Sequence, residues 1–146
     1  MKLIARGLLV LSVAALLPLC ASAQEHYSYT GVSRVVTIRI LPGKSEEFYK
    51  AFAYAPKVFE AEKEAGLITG YALLTSVDYS GPDKWDFKIV IMYKDMAALD
   101  DLSNKAEPIV AKVYGTPEKR AEISKLRTES SEVVSSELER NIVLKP

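Results

Sequence analysis

The fold turns on one stretch, Val35-Val36-Thr37-Ile38-Arg39-Ile40-Leu41, followed at once by Pro42-Gly43-Lys44 and Ser45-Glu46-Glu47-Phe48. Val36, Ile38 and Ile40 alternate with Thr37 and Arg39 in a β-branched run, which predicts a strand whose other face also carries Val35 and Leu41. Pro42-Gly43 breaks it. Ser45 then offers a capping hydroxyl, and Glu46 and Glu47 place negative charge where a helix dipole favours it. Phe48, Phe52, Ala55 and Phe59 recur at helical spacing, so three rings form one apolar stripe, with Phe52 expected at its centre against a sheet. Pro56 should kink or split that helix. Gly66 should end it in a left-handed cap.

Beyond this unit, residues 67–77 read as a second strand, with Tyr71, Leu73, Thr75 and Val77 on one face and Ile68, Ala72 and Leu74 on the other. Residues 78–83 (D-Y-S-G-P-D) are a turn by composition. Residues 85–93 form a third strand in which Trp85, Phe87, Ile89, Ile91 and Tyr93 alternate with Asp86, Lys88, Val90 and Met92, completing an antiparallel hairpin. Asp95 is placed to cap a long helix striped by Leu99, Leu102, Ala106, Ile109 and Val113, interrupted by Pro108 and closed by Gly115. Thr116-Pro117-Glu118 opens a further helix, as a cap with proline at the first helical position does. Residues 137–144 read as a fourth strand, and residues 130–136 have no clear period. The order strand, helix, strand, strand, helices, strand defines an α+β class: the split β-α-β, ferredoxin-like arrangement with an extra helix and an antiparallel four-stranded sheet.

Composition sets the outer bounds. The chain has 146 residues, 49% hydrophobic and 26% charged, with a formal net charge of zero, as expected of one globular domain. Lys2 and Arg6 precede an uncharged run from Gly7 to Leu19 that ends in Ala21-Ser22-Ala23. That pattern predicts a secretory signal over residues 1–23, cleaved after Ala23. Pro18 and the small residues at the cleavage site oppose an uncleaved anchor, and bulky Leu19 before Cys20 opposes lipid attachment. Cleavage removes Lys2, Arg6 and Cys20, leaving a charge of −2 and no cysteine. Residues 24–33 then read as a flexible lead-in and 34–146 as a single domain, periplasmic or secreted, held by its core without disulfides. No Lys/Arg cluster gives an electrostatic footprint for nucleic acid, and no membrane association is expected after cleavage.

Several chemistries find no residues. His26 is the only histidine and lies near the mature start, so no packed triad or zinc cluster can be built around it. Glu46-Glu47 and Asp100-Asp101 are adjacent on helices and diverge by about 100°, so neither pair shares a proton site. No glycine loop cradles a phosphate, and no metal or cofactor is expected. What remains are polar strand residues able to face an interior: Thr37 and Arg39, Tyr71 and Thr75, Asp86 and Lys88, Arg140 and Asn141. Trp85, Tyr93, Tyr49 and Tyr54 are available to wall a pocket. The plainer alternative pairs Arg39 with a carboxylate across strands and assigns the rings to packing.

The strand 35–41, the break Pro42-Gly43-Lys44, the helix start Glu46-Glu47-Phe48 and the late aliphatic strand resemble the dimeric α/β-barrel proteins, in particular the antibiotic-biosynthesis-monooxygenase-like and NIPSNAP-like groups. The resemblance spans about residues 34–144 and rests on a short structural motif. It implies a homodimer in which two sheets face each other and close a barrel, which would account for strands that are apolar on both faces. Members that oxidise aromatic polyketides work without metal or flavin, stabilising a substrate enolate with pocket Asn, Trp, Tyr or Arg groups. By that resemblance Arg39, with Tyr71 or Trp85, is the catalytic candidate set, and Thr37, Tyr93 and Tyr49 are ligand-binding candidates. The functions in view are therefore a binder of a small apolar or aromatic molecule in a barrel pocket, an assembly module, or a cofactor-independent monooxygenase or isomerase acting on an aromatic enolisable substrate.

Overall fold

In the computed structural model, which describes residues 26–78 and 80–146, the chain runs β1 (Tyr27–Ile40), α1 (Ser45–Phe52), α2 (Ala55–Glu64), β2 (Gly70–Thr75), β3 (Phe87–Tyr93), a 3₁₀ turn (Met96–Leu99), α3 (Leu102–Tyr114), α4 (Pro117–Ser130) and β4 (Ser131–Leu144). The sheet order is β2-β3-β1-β4, and β3 is antiparallel to both β1 and β2. This is the ferredoxin-like topology. The chain divides into a main unit, Tyr29–Asn141, and a small one from its two ends; within the latter the Lys145 amide donates to the His26 carbonyl at 2.9 Å. The expected signal segment lies outside the described residues.

Register explains the core. Val36 sits opposite Ile89, and Ile89 opposite Leu73 on its other side. Ile38 pairs with Phe87, and Tyr71 with Ile91. These side chains share one face, and that face receives the α1 stripe: Phe48, Ile38, Phe87 and Ile89 form a buried cluster with Phe52, Phe59 and Leu73 against it. A second cluster joins Val32, Ile68 and Tyr93 with Leu99 and Leu102. Phe48 is fully buried whereas Phe52 is only half-buried, so the centre of the stripe lies one turn earlier than the sequence implied. The first-turn carboxylates are where the dipole favours them, but Lys44 holds the cap position without a side-chain capping bond, its Nζ donating instead to Glu47, and Ser45 lies inside the helix. Pro56 splits the expected helix into α1 and α2, falling in the first turn of α2, where its missing N–H breaks no ladder bond. Thr116 caps α4 by accepting from the Lys119 amide at 3.2 Å, while Asp95 caps only the 3₁₀ turn.

Three expectations need correction. The lead-in predicted over 24–33 is strand from Tyr27 onward, because Val32 and Ser33 pair with Tyr93 and Met92. Gly31 within this strand allows close approach: a Cβ there would lie 2.8 Å from the Tyr93 carbonyl oxygen. The segment 130–136 splits after Ser130, where α4 ends, and β4 begins at Ser131, six residues before the predicted strand start at 137. Pro108 does not interrupt its helix; α3 continues through it, held by packing against α2 and α4.

The opposite face of the sheet carries Val35, Ala72, Leu74, Val90 and Met92, none of which joins either buried cluster. Along the β1–β4 half, side chains pair across the strands: Ser33 Oγ donates to Asn141 Oδ1 at 3.0 Å, Thr37 and Ser135 hydroxyls meet at 2.7 Å, and Arg39 meets Glu132. Ile68 and Val77, assigned by alternation to strand faces, lie beyond the ends of β2; Ile68 is buried on the helix side and Val77 is exposed. Helix α4 packs on α1 and α3, not over this open face.

Candidate functional site

A cavity of about 700 Å³ lies between the sheet and the helices. Its floor is Val36 and Ile38 of β1 with Ile89 of β3, its walls are Phe52, Ala55, Val58 and Phe59 of α1 and α2, and Val110 and Tyr114 of α3 face it. Arg127 and Thr128 of α4 with Ser131, Glu132 and Val133 of β4 complete the rim. The cavity follows from the chain's own punctuation. The break at residues 53–54 ends the α1 stripe early, so α2 does not close down on α4. The Tyr54 ring stacks on Tyr114 at 5.3 Å and 19°, fixing the α1–α2 junction to the end of α3 and holding the gap. The volume is in the range of drug-sized ligand pockets.

Most polar groups of the rim are already engaged. Thr128 Oγ1 donates to the Ser124 carbonyl at 3.0 Å, and Ser131 Oγ donates to the Arg127 carbonyl at 3.0 Å. Glu132 accepts from Arg39 Nη1 at 2.5 Å. Among the described residues no carboxylate pairs with Arg127, and no cluster of His, Cys, Asp or Glu is arranged to hold a metal.

None of the six residues proposed from sequence lines this cavity. Arg39 is on the open face of the sheet, held by Glu132 and donating from Nε to the Lys84 carbonyl at 3.0 Å; this is the cross-strand pairing weighed as its plainer role. That bond sets it beside the segment containing Trp85, whose ring lies 4.4 Å under Lys88 Nζ. Tyr71 is on the opposite face, its ring 5.0 Å from Phe59, so Arg39 and Tyr71 do not converge within a protomer. Thr37 is in the cross-strand ladder, Tyr93 is in the core, and Tyr49 is half-exposed on α1, edge-on to Phe48. Withdrawal from water pushes the Tyr71 hydroxyl above its ordinary 10.0, with Glu60 adding to the shift. Burial likewise raises Tyr93, opposed by the charge and hydrogen bond of Arg34 and reinforced by Glu62. Both phenols therefore stay protonated at neutral pH and neither is a base. Asp86 is structural: its Oδ2 accepts the Ile40 amide at 2.9 Å, fastening the hairpin to β1. The cavity residues were missed because they come from seven separate elements, and their sequence signal, the Phe52–Phe59 stripe, reads as core.

Glu62 on α2 gives a pH signature. Burial raises its carboxyl above 4.5, so the folded state holds the proton more tightly than the unfolded chain. Stability is then greatest below pH 4.5 as far as this group is concerned, and falls as pH rises through the folded value. Glu62→Gln removes that loss. The variant should melt higher than the wild type at pH 7, with the difference closing as pH approaches 4, in roughly that order of pH; an unchanged gap across the range would show that Glu62 is not desolvated.

No protein-family model matches the chain, and no curated protein does. Among solved structures, one similar chain is a candidate antibiotic biosynthesis monooxygenase from Bordetella bronchiseptica, at 16% identity over 78% of this chain and 99% of that one, with a TM-score of 0.47. A protein of Shewanella oneidensis matches at 19% identity over 81% and 97%, TM-score 0.47. A dimeric protein of unknown function with a ferredoxin-like fold from Bacteroides fragilis matches at 12% identity over 81% and 100%, TM-score 0.42. The fold class is set by the strand order itself, and function must be argued from the site.

Proposed function

We propose that this is an exported homodimeric protein that binds a small apolar or aromatic molecule in the cavity beneath its helices. The observation carrying the reading is that cavity: about 700 Å³, walled by Phe52, Phe59, Val58 and Ile89 and rimmed by few polar groups. A concave, mostly apolar cleft with few polar groups at its edge is the kind of surface on which small apolar molecules bind. On this reading the pocket is within the protomer, under the helices, whereas the sequence resemblance implied a barrel pocket between two sheets. Binding of the neutral fluorophore N-phenylnaphthylamine tests it. Val133 lines the cavity yet is exposed, so Val133→Trp obstructs it at little cost to folding, and Val110→Trp does so from α3. Either should weaken the probe by about tenfold or more, equivalent to roughly 1.4 kcal/mol. Fluorescence unchanged by both variants would reject the site.

The export half rests on the n-region, apolar run and Ala21-Ser22-Ala23. Intact mass of protein recovered from the periplasm or medium should begin at Gln24. A membrane-retained species still carrying Met1 would refute it. Among the described residues no helix is long and apolar enough to cross a membrane. The second copy is favoured by the uncovered apolar face of β2 and β3, which carries Ala72, Leu74, Val90 and Met92.

A further inference from the structure

Resting on that binding reading, we infer that the occupant is an apolar monoanion whose carboxylate or like head group is taken by Arg127 at the cavity rim. The argument is one of charge accounting around an apolar space. Two ionised residues line the cavity, Arg127 and Glu132. Glu132 is neutralised from outside by Arg39. The next cation along the α3–α4 side, Arg120, is held by both carboxylate oxygens of Glu107. Among the described residues Arg127 alone of this set meets no carboxylate. Its backbone is fixed, since its carbonyl accepts from the hydroxyls of Ser130 and Ser131, so the guanidinium springs from a set point at the junction of α4 and β4.

A guanidinium beside a low-dielectric wall attracts an anion more strongly than one in open water, and its fork matches a carboxylate through two parallel bonds. An apolar body in the cavity with its charge at the rim satisfies both surfaces at once. A neutral ligand would leave the exposed guanidinium to water alone, and one unpaired cation at the rim, with Glu132 already held by Arg39, answers one negative charge. The competing role of Arg127 is simpler: a basic residue in the last turn of a helix is favoured by the dipole, which requires no ligand.

Two fluorophores that differ by one charge separate these accounts: anilinonaphthalene sulfonate and its neutral parent N-phenylnaphthylamine. Wild-type protein should bind the sulfonate more tightly, and laurate should displace it more effectively than dodecanol. Arg127→Ala should weaken the sulfonate about tenfold or more while moving the neutral probe less than about threefold, and Arg127→Lys should recover part of the loss. Added salt should weaken only the sulfonate in the wild type. If Arg127→Ala shifts both probes equally or neither, the head-group assignment is wrong although the cavity still binds. If neither probe binds the wild type, or neither responds to Val110→Trp and Val133→Trp, the binding reading itself fails and this inference with it.

Discussion

Replacing Phe48 with alanine is expected to remove about 3–5 kcal/mol of stability. Phe48 is fully buried and sits at the meeting point of the rings, 4.5 Å from Phe52, 5.2 Å edge-on to Phe87 and 5.2 Å edge-on to Tyr49. Truncation forfeits the transfer energy of the ring and the edge-to-face contacts, and it opens a void next to a cavity that is already large. Collapse of the site is hindered because α1 is fixed at one end by Pro42-Gly43 and at the other by the Tyr54–Tyr114 stack. A domain of this size has about 5–15 kcal/mol in all, so the variant should be largely unfolded at temperatures the wild type tolerates. Tyr49→Ala, one residue on, removes a half-exposed ring and should cost about 1 kcal/mol or less. Chemical denaturation of the two variants measures both. A loss below about 1 kcal/mol for Phe48→Ala would mean that α1 does not present this edge to the sheet.

The same α1 shows how far sequence reading reaches. Its existence, its acidic start and its division at Pro56 were legible because each rests on local chemistry: periodicity, the helix dipole and a missing N–H. The ring at its centre was not, since Phe48 and Phe52 are both on the stripe and only the seating of α1 over Phe87 tells them apart. The start of β1 was hidden for a different reason. Ser28-Tyr29-Thr30-Gly31 has no alternation, and the strand it begins is defined by partners far along the chain: Val32 pairs with Tyr93 of β3, and β4 lies along the other side of β1. The beginning of β4 failed similarly, because an edge strand at 131–136 is largely exposed on both sides and carries no hydrophobic period. The site was the least legible part. A cavity is a relation between elements, and Val36, Phe59, Val110 and Arg127 have no spacing that announces a shared wall.

Val90→Glu is expected to convert a dimer to a monomer. The sheet pairs Val90 with Val35 on one side and Ala72 on the other, so this side chain stands at the middle of the face that the helices do not cover. Around it are Leu74 and Met92, while the neighbouring charge, Lys88, is drawn over the Trp85 ring. The polar half of the same face is already satisfied within the chain, since Ser33 with Asn141, Thr37 with Ser135 and Arg39 with Glu132 each bond across β1 and β4. Covering the face therefore removes mainly apolar surface from water, with the Lys88 ammonium over the Trp85 ring as the one charge to be accommodated. A second copy related by a two-fold axis presents the same two halves, and a face-to-face sheet pair of this kind buries roughly 1,500 Å² or more in total. Glutamate at position 90 would put a carboxylate from each copy into the apolar surface that the proposed dimer covers, and its desolvation opposes assembly. Ile89 and Leu73, one residue away on each strand, point under the helices instead, so glutamate there would damage the fold and say nothing about assembly. Light scattering at micromolar concentration should give twice the chain mass for the wild type and the single chain mass for Val90→Glu, with the far-ultraviolet circular dichroism of the two alike. A wild type that already scatters as a monomer would overturn the dimer and leave the open face without its second copy.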